Sequence, residues 1–174
     1  LVVASNGYGE DAIGVLLAER LRTRFPASEV LTFPLVGRGD AYRAADFPVC
    51  SAPSVTPSGG VVKYRLRDLW GDMRAGLLRH VRDQLRALAR AWGALRGLVR
   101  TPLCVGDVYL LLHTLWGCGA RPLFVATAKT VHLSGHWRLE RALIRRLVLR
   151  AWTRDPESAA QLRRSGADAL YAGS

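Results

Sequence analysis

The sequence predicts an α/β fold, with a Rossmann-like, doubly wound and mostly parallel sheet, on three observations. Short apolar runs alternate with helix-patterned stretches along most of the chain. The runs are rich in Val, Leu and Phe without polar alternation, as strands buried on both faces require. Prolines, glycines and acids mark many of the junctions between run and helix. Such alternation builds βαβ units with right-handed crossovers and helices on both faces.

Taken in order, residues 1–5 (LVVAS) form the first buried strand. Gly14–Phe25 follows as a helix, with Val15, Leu16, Leu17, Leu21 and Phe25 as its apolar positions and Pro26 as its stop. Residues 29–36 (EVLTFPLV) form the second strand, and Pro34 marks either its end or an edge of the sheet. A Gly/Pro/Ser-rich loop runs on to Gly60, with room for a short strand in FPVCSA. From Tyr64 to Val99 apolar residues recur at steps of three and four with arginines between them, although four glycines weaken the case for one unbroken helix. Three strand-helix pairs come next. LCVGDV leads into YLLLHTLWGCG, PLFVAT leads through a loop into a basic helix from Trp137 to Leu149, and LRAWTRD meets a helix beginning near Pro156. DALYAG is the last strand.

With 174 residues, 49% of them hydrophobic, the chain has material for a single domain, residues 1–174. It starts at Leu1 inside a strand-like run and stops at YAGS after another, which is how a piece of a longer protein reads. Lys and Arg total 25 against 14 acids, for a net charge of +11, and Lys63 and Lys129 are the lysines. That balance suits an anionic partner, whether nucleic acid, a membrane surface or a phosphorylated substrate, or else reflects a bias toward arginine. Cys50, Cys104 and Cys118 are too widely spaced for a disulfide framework or a CxxC metal site and read as buried free thiols in a reducing cytoplasm. No apolar stretch approaches the roughly 20 residues of a spanning helix, and no leader with a cleavage site is visible.

In doubly wound sheets ligands bind outside the carboxyl ends of the strands. This rule nominates the loops at 5–11, 37–42, 54–60, 106–107 and 127–134, together with Asp155. SNGYGED lacks the third glycine of the dinucleotide fingerprint, so a nicotinamide role has little support and no cofactor is assigned. Its Gly7 and Gly9 let backbone approach a ligand, alongside Asn6. Glu10 and Asp11 either cap the following helix or accept hydrogen bonds from a ligand. Asp107, after an apolar strand and a glycine, is either a general base or the N-cap of the helix that follows. Ser58, Gly59 and Gly60 of PSGG form a sugar or phosphate loop, or an ordinary turn. TAKTVHLSGH places Thr127, Lys129, His132, Ser134 and His136 close together. Two histidines four apart suggest zinc, but Gly135 between them argues against the helix they need, so no metal is assigned and Lys129 is read as an anion contact.

SNGYGEDAIG, PLVGRGDAYR, PSGG, VGDVYLL, FVATAK and TRDPESAAQLRRSGADALYAGS, in that order, resemble the first half of the lipid-A-disaccharide synthase-related glycosyltransferases. The departure is Tyr8, where that family's glycine loop has His, and a proton-transfer role there is in doubt. The resemblance implies the amino-terminal, acceptor-side domain of a glycosyltransferase B fold, with a separate carboxyl-terminal domain, absent from this chain, gripping a UDP-sugar donor. It also implies inverting displacement at the anomeric carbon without a metal, a glycolipid or sugar acceptor, Asp107 as the base, and no activity in this chain alone.

An enzyme of acylated sugars works at a bilayer, which gives the arginines of residues 64–100 a purpose and places Trp70 and Trp92 at the interface or in the core. The location implied is cytoplasmic, with peripheral contact with anionic membrane. Two rival readings are a non-catalytic anion- or nucleic-acid-binding Rossmann module and an idle relative that binds a glycolipid. The first expects basic residues along one groove with interleaved aromatics, whereas the arginines here are spread over several helices, so no nucleic-acid partner is assigned.

Overall fold

A computed structural model describes residues 1–51, 77–95, 101–132, 135–171 and 173. Six apolar runs form the strands β1 (Val2–Ser5), β2 (Leu31–Pro34), β3 (Pro102–Gly106), β4 (Leu123–Ala126), β5 (Arg150–Thr153) and β6 (Ala169–Leu170). They make one sheet in the order β2-β1-β3-β4-β5-β6, with every neighbouring pair parallel. The β2 strand lies at an edge, where Pro34 can be tolerated. Between the strands run α1 (Gly9–Arg24), α2 (Asp40–Ala44), α3 (Leu77–Ala94), α4 (Val108–Cys118), α5 (Arg138–Leu147) and α6 (Pro156–Arg164).

Alternate residues of a strand point to opposite faces, so each strand serves two packing layers. On one face Val2, Ala4, Phe33, Cys104, Phe124 and Ala151 pack with Leu88 of α3, Leu110 and Leu111 of α4, Ile144 of α5 and Leu162 of α6. Phe33 and Phe124 are wholly buried there, and each contributes about 1.5–3 kcal/mol. That exceeds the 0–1 kcal/mol, roughly, of an exposed pair such as Arg79–Asp83. Across the sheet, Val3 and Leu103 pack with Val15, Ala18 and Leu21 of α1 and with Tyr42 of α2. Burial on this second face thins toward β6. Ser5 and Val105 are buried, Val125 and Trp152 half-buried, and Leu170 is 40% exposed.

Several elements differ from the sequence reading. The first helix begins at Gly9, five residues before Gly14, because Gly14 is a packing site rather than a start. A Cβ at Gly14 would lie 1.9 Å from the Tyr42 hydroxyl, so the glycine makes room for that ring. The α2 helix falls in what reads as loop, since five residues are too few to show a helical period. The short strand expected around 47–52 reduces to a bridge between Thr32 and Val49. Within the basic stretch, Leu77–Ala94 is helical and Trp92 packs against the core, which removes it from the interface position. Trp70, Ser58, Gly59, Gly60, Lys63 and Ser134 lie outside the described residues.

All three cysteines are free, as their spacing predicts. Burial pushes the Cys50 thiol up to about 11 and that of Cys118 to about 12, and raises Cys104 well above its ordinary value.

Candidate functional site

The strand order reverses at β1, whose neighbours β2 and β3 lie on opposite sides, and the crevice of such a sheet opens at the carboxyl ends beside that reversal. Two loops meet there. One is Asn6–Gly9 after β1, and the other is Gly106–Asp107 after β3. A Cβ on Gly106 would stand 2.7 Å from Asn6 Cγ, so only a glycine permits this approach. Gly7 has φ +115°, and its missing Cβ would fall 2.7 Å from the Val36 carbonyl oxygen. It is therefore fixed both by conformation and by contact with the chain after β2.

The amino end of α1 is already occupied by the chain itself. Glu10 N–H donates to the Gly7 carbonyl, and the N–H groups of Asp11 and Ala12 both donate to the Tyr8 carbonyl. With Glu10 and Asp11 also in its first turn, this helix end is not a phosphate cradle. Asp11 is 4% exposed and turned inward. Its Oδ1 accepts from Ser5 Oγ at 2.6 Å, and Ser5 Oγ in turn accepts from the Tyr42 hydroxyl at 2.8 Å. This chain ties β1, α1 and α2 together beneath the crevice. Burial is the main cause that raises the Asp11 carboxyl above its ordinary value, against the Ser5 hydrogen bond, which lowers it. Tyr8 stands above the loop, 73% exposed, with φ 47° and ψ −109°. A tyrosine held there stores about 1–3 kcal/mol of backbone strain.

Asp107 is the N-cap of α4, and its Oδ1 accepts from Leu110 N at 2.9 Å. The capping alternative is thus realised in the geometry, with the carboxylate half-buried at the crevice. Thr127, after β4, donates to Glu10 Oε1 at 3.5 Å, so the β1 and β4 loops are joined across the crevice. Arg154, after β5, donates to the Thr127 carbonyl at 3.2 Å. Lys129 does not present an unpaired charge. Its Nζ lies 2.6 Å from Glu140 Oε1 and 4.8 Å from the centre of the Trp137 ring. Glu140 Oε2 also accepts from Trp137 N at 3.0 Å, so this carboxylate ties the β4 loop to the start of α5.

The two histidines of the β4 loop part company. His136 is buried with Nδ1 at 3.7 Å from Glu140 Oε2, and burial chiefly lowers its pKa below the ordinary value. The His132 imidazole is exposed, 3.6 Å from Glu157 Oε2 and within 4.8 Å of an Asp155 oxygen. Both Asp155 oxygens, however, are taken by Ser158, from its N–H at 2.6 Å and its hydroxyl at 2.9 Å. A cation at this cluster would compete with the cap of α6 and face the positive end of that helix.

Ser5 and Tyr42 are the parts that sequence reasoning missed, because residues 37 apart reveal no pairing by period or motif. The crevice is thus lined by glycine backbone, a capping carboxylate, a hydroxyl–carboxylate bridge and an exposed tyrosine. It suits a neutral, hydroxyl-rich ligand better than an anion. No family model matches this chain, and no curated protein or solved structure is significantly similar to it.

Proposed function

We propose that this chain is the acceptor-side domain of an inverting glycosyltransferase related to lipid-A-disaccharide synthase, one that moves a hexose from a UDP-sugar to a glycolipid acceptor. The observation that carries the reading is the glycine loop at the switch-point crevice, whose first-turn N–H groups and acids are arranged against phosphate. A crevice of that kind receives the hydroxyls of an acceptor sugar. The donor diphosphate is gripped by a second Rossmann-like domain. The motif order that resembles the family supports the same assignment.

In the proposed reaction, Asp107 takes the proton of the acceptor hydroxyl on Oδ2 while Oδ1 stays on Leu110 N. The hydroxyl oxygen attacks the anomeric carbon, the bond to the diphosphate oxygen breaks, and the diphosphate leaves with the electron pair and inverts that centre. Glycine backbone at positions 7, 9 and 106 permits close approach of the sugar, and Asn6, Glu10 and Thr127 flank it.

Amide chemical-shift mapping tests this reading. An acylated glucosamine is expected to move the signals of Gly7, Gly9, Gly106 and Thr127, whereas UDP alone leaves them in place. UDP binding at these loops, or no response to the glycolipid, would overturn the assignment.

A further inference from the structure

The turn from β1 into α1 holds two residues that neither folding nor packing accounts for. Tyr8 takes φ 47° and ψ −109°, and Tyr8 and Asp46 are the non-glycine residues with positive φ among those described. Asp46 has a short polar side chain that tolerates this region, whereas a bulky aromatic residue is strained there. A glycine would make the turn without strain, and glycines already stand on both sides of it, at positions 7 and 9. The tyrosine gains nothing inside the fold in return. It is 73% exposed, and its hydroxyl bonds to none of the described residues. Gly9 is the converse case. It has no positive φ, and beyond its chain neighbours and its own helix backbone a Cβ there would meet nothing within 4 Å, so an alanine would fit.

The turn is clamped and cannot relax to relieve Tyr8. The Tyr8 carbonyl accepts from Asp11 N at 3.1 Å and Ala12 N at 3.3 Å, Glu10 N–H donates to the Gly7 carbonyl at 3.1 Å, and Gly7 lies against Val36. A strained residue between a strand end and a helix start is displayed above the sheet, as the elbow of other α/β enzymes displays a nucleophile. Here the displayed group is a phenol ring. Near it, at the carboxyl ends of β1, β3 and β4, stand the Glu10 and Asp107 carboxylates and the Thr127 hydroxyl. A flat ring beside hydrogen-bonding oxygens is the chemistry that recognises a pyranose, whose C–H face lies on the ring while its hydroxyls reach the polar groups. We propose that Tyr8 is the platform on which the acceptor sugar stacks, and that Gly9 leaves room for the sugar to lie against the backbone beside it. The inference rests on the acceptor-side reading and adds to it a residue that selects a pyranose ring.

Titration with methyl N-octanoylglucosaminide, followed by amide chemical shifts, together with urea denaturation of each variant, tests it. The parent is expected to shift at Gly7, Gly9, Gly106 and Thr127. Tyr8→Phe keeps the ring and is expected to keep the affinity. Tyr8→Asn and Tyr8→Gly tolerate the turn but lack the ring, and each is expected to weaken binding about tenfold, the scale of one aromatic contact. Their denaturation midpoints are expected to move to higher urea as the strain is released. Gly9→Ala is expected to fold as stably as the parent and to bind less tightly. Octanamide, which has the chain without the sugar, is expected to move none of these signals. Undiminished binding by Tyr8→Asn and Tyr8→Gly, with the shifts at Gly106 and Thr127 in place, would overturn this proposal and leave the acceptor reading standing. Tyr8→Phe as weak as Tyr8→Gly, or equal shifts from octanamide, would overturn it as well. A parent that shifts at none of these loops would overturn the acceptor reading, and this proposal with it.

Discussion

The buried chain Tyr42–Ser5–Asp11 makes an unusually sharp prediction, because its middle member is a small side chain whose loss would ordinarily matter little. Ser5 Oγ donates to Asp11 Oδ1 at 2.6 Å and accepts from the Tyr42 hydroxyl at 2.8 Å, and Ser5 and Tyr42 are both fully buried. Ser5→Ala therefore strands the Tyr42 hydroxyl on one side, at about 1–3 kcal/mol, and on the other leaves the Asp11 carboxylate with its Gly7 backbone hydrogen bond alone, at about 1–2 kcal/mol. The expected loss is about 2–5 kcal/mol, or roughly 4–20 °C in Tm for a chain of this size. Tyr42→Phe leaves Ser5 still donating to Asp11 and is expected to cost only about 1 kcal/mol. The decisive case is the double variant. Once Ser5 is alanine, Tyr42→Phe removes a stranded hydroxyl, so it is expected to restore about 1 kcal/mol rather than subtract it. Urea denaturation of the four proteins measures the cycle. Additive losses, or a Ser5→Ala variant as stable as the parent, would show that the chain does not carry the weight assigned to it.

Other predictions concern separate parts of the molecule. A Cβ at Gly117 would stand 2.5 Å from Leu88 Cδ2, so Gly117→Ala is expected to force α3 and α4 apart and to destabilise by about 1–3 kcal/mol in the same assay. Asp107→Asn keeps an oxygen for Leu110 N, so stability is expected to hold while, on the proposed reaction, transfer by the full-length protein falls about 10²–10⁴-fold; Asp107→Ala is expected to lose about 0.5–2 kcal/mol as well. The raised Asp11 pKa means the folded state holds its proton more tightly than the unfolded chain. Stability from this group is full below its ordinary value of 3.8 and is lost as pH rises through the folded value, so the parent should gain on Asp11→Asn between pH 7 and pH 4. For His136, whose pKa is lowered, the sign is opposite. Its contribution is present above 6.5 and is lost as pH falls, so the parent is expected to lose stability relative to His136→Gln in titrations below that pH. With thiols at about 11 for Cys50 and about 12 for Cys118, disulfide-exchange reagents are expected to modify the cysteines only as fast as the protein unfolds.

The sheet was legible because a strand buried on both faces must be a continuous apolar run, and VVAS, PLCVG and LFVA say so directly. The cap at Asp107 was legible for the same local reason, since a capping carboxylate stands next to the helix it serves, whereas Asp155, nominated for the ligand side, also turned out to cap its helix. What stayed hidden depends on contact across the chain. Gly14 reads as a helix boundary until the Tyr42 hydroxyl is seen beside it, and Trp92 reads as either interfacial or core until the core is found packed against it. Lys129 reads as a ready cation until Glu140, eleven residues on, comes within 2.6 Å. Local pattern fixes which residues form an element, but pairing at a distance decides whether a charge is available to a ligand.

That distinction bears on the charge of the molecule. A net +11 suggests a basic site, yet beside the crevice stand Glu10, a lysine paired with Glu140, and Arg154, whose guanidinium is engaged by the Thr127 carbonyl, with the Asp11 carboxyl buried beneath. The exposed arginines are spread over the outer sides of several helices, among them Arg20, Arg22 and Arg24 on α1, Arg79, Arg82, Arg86 and Arg90 on α3, and Arg138, Arg145 and Arg146 on α5. Fields from such surface charges fade over about 10 Å at moderate salt, so the net charge alone does not make the crevice a basic site. The acids in SNGYGED are therefore compatible with function rather than opposed to it: Asp11 braces the loop from within and Glu10 ties it to Thr127.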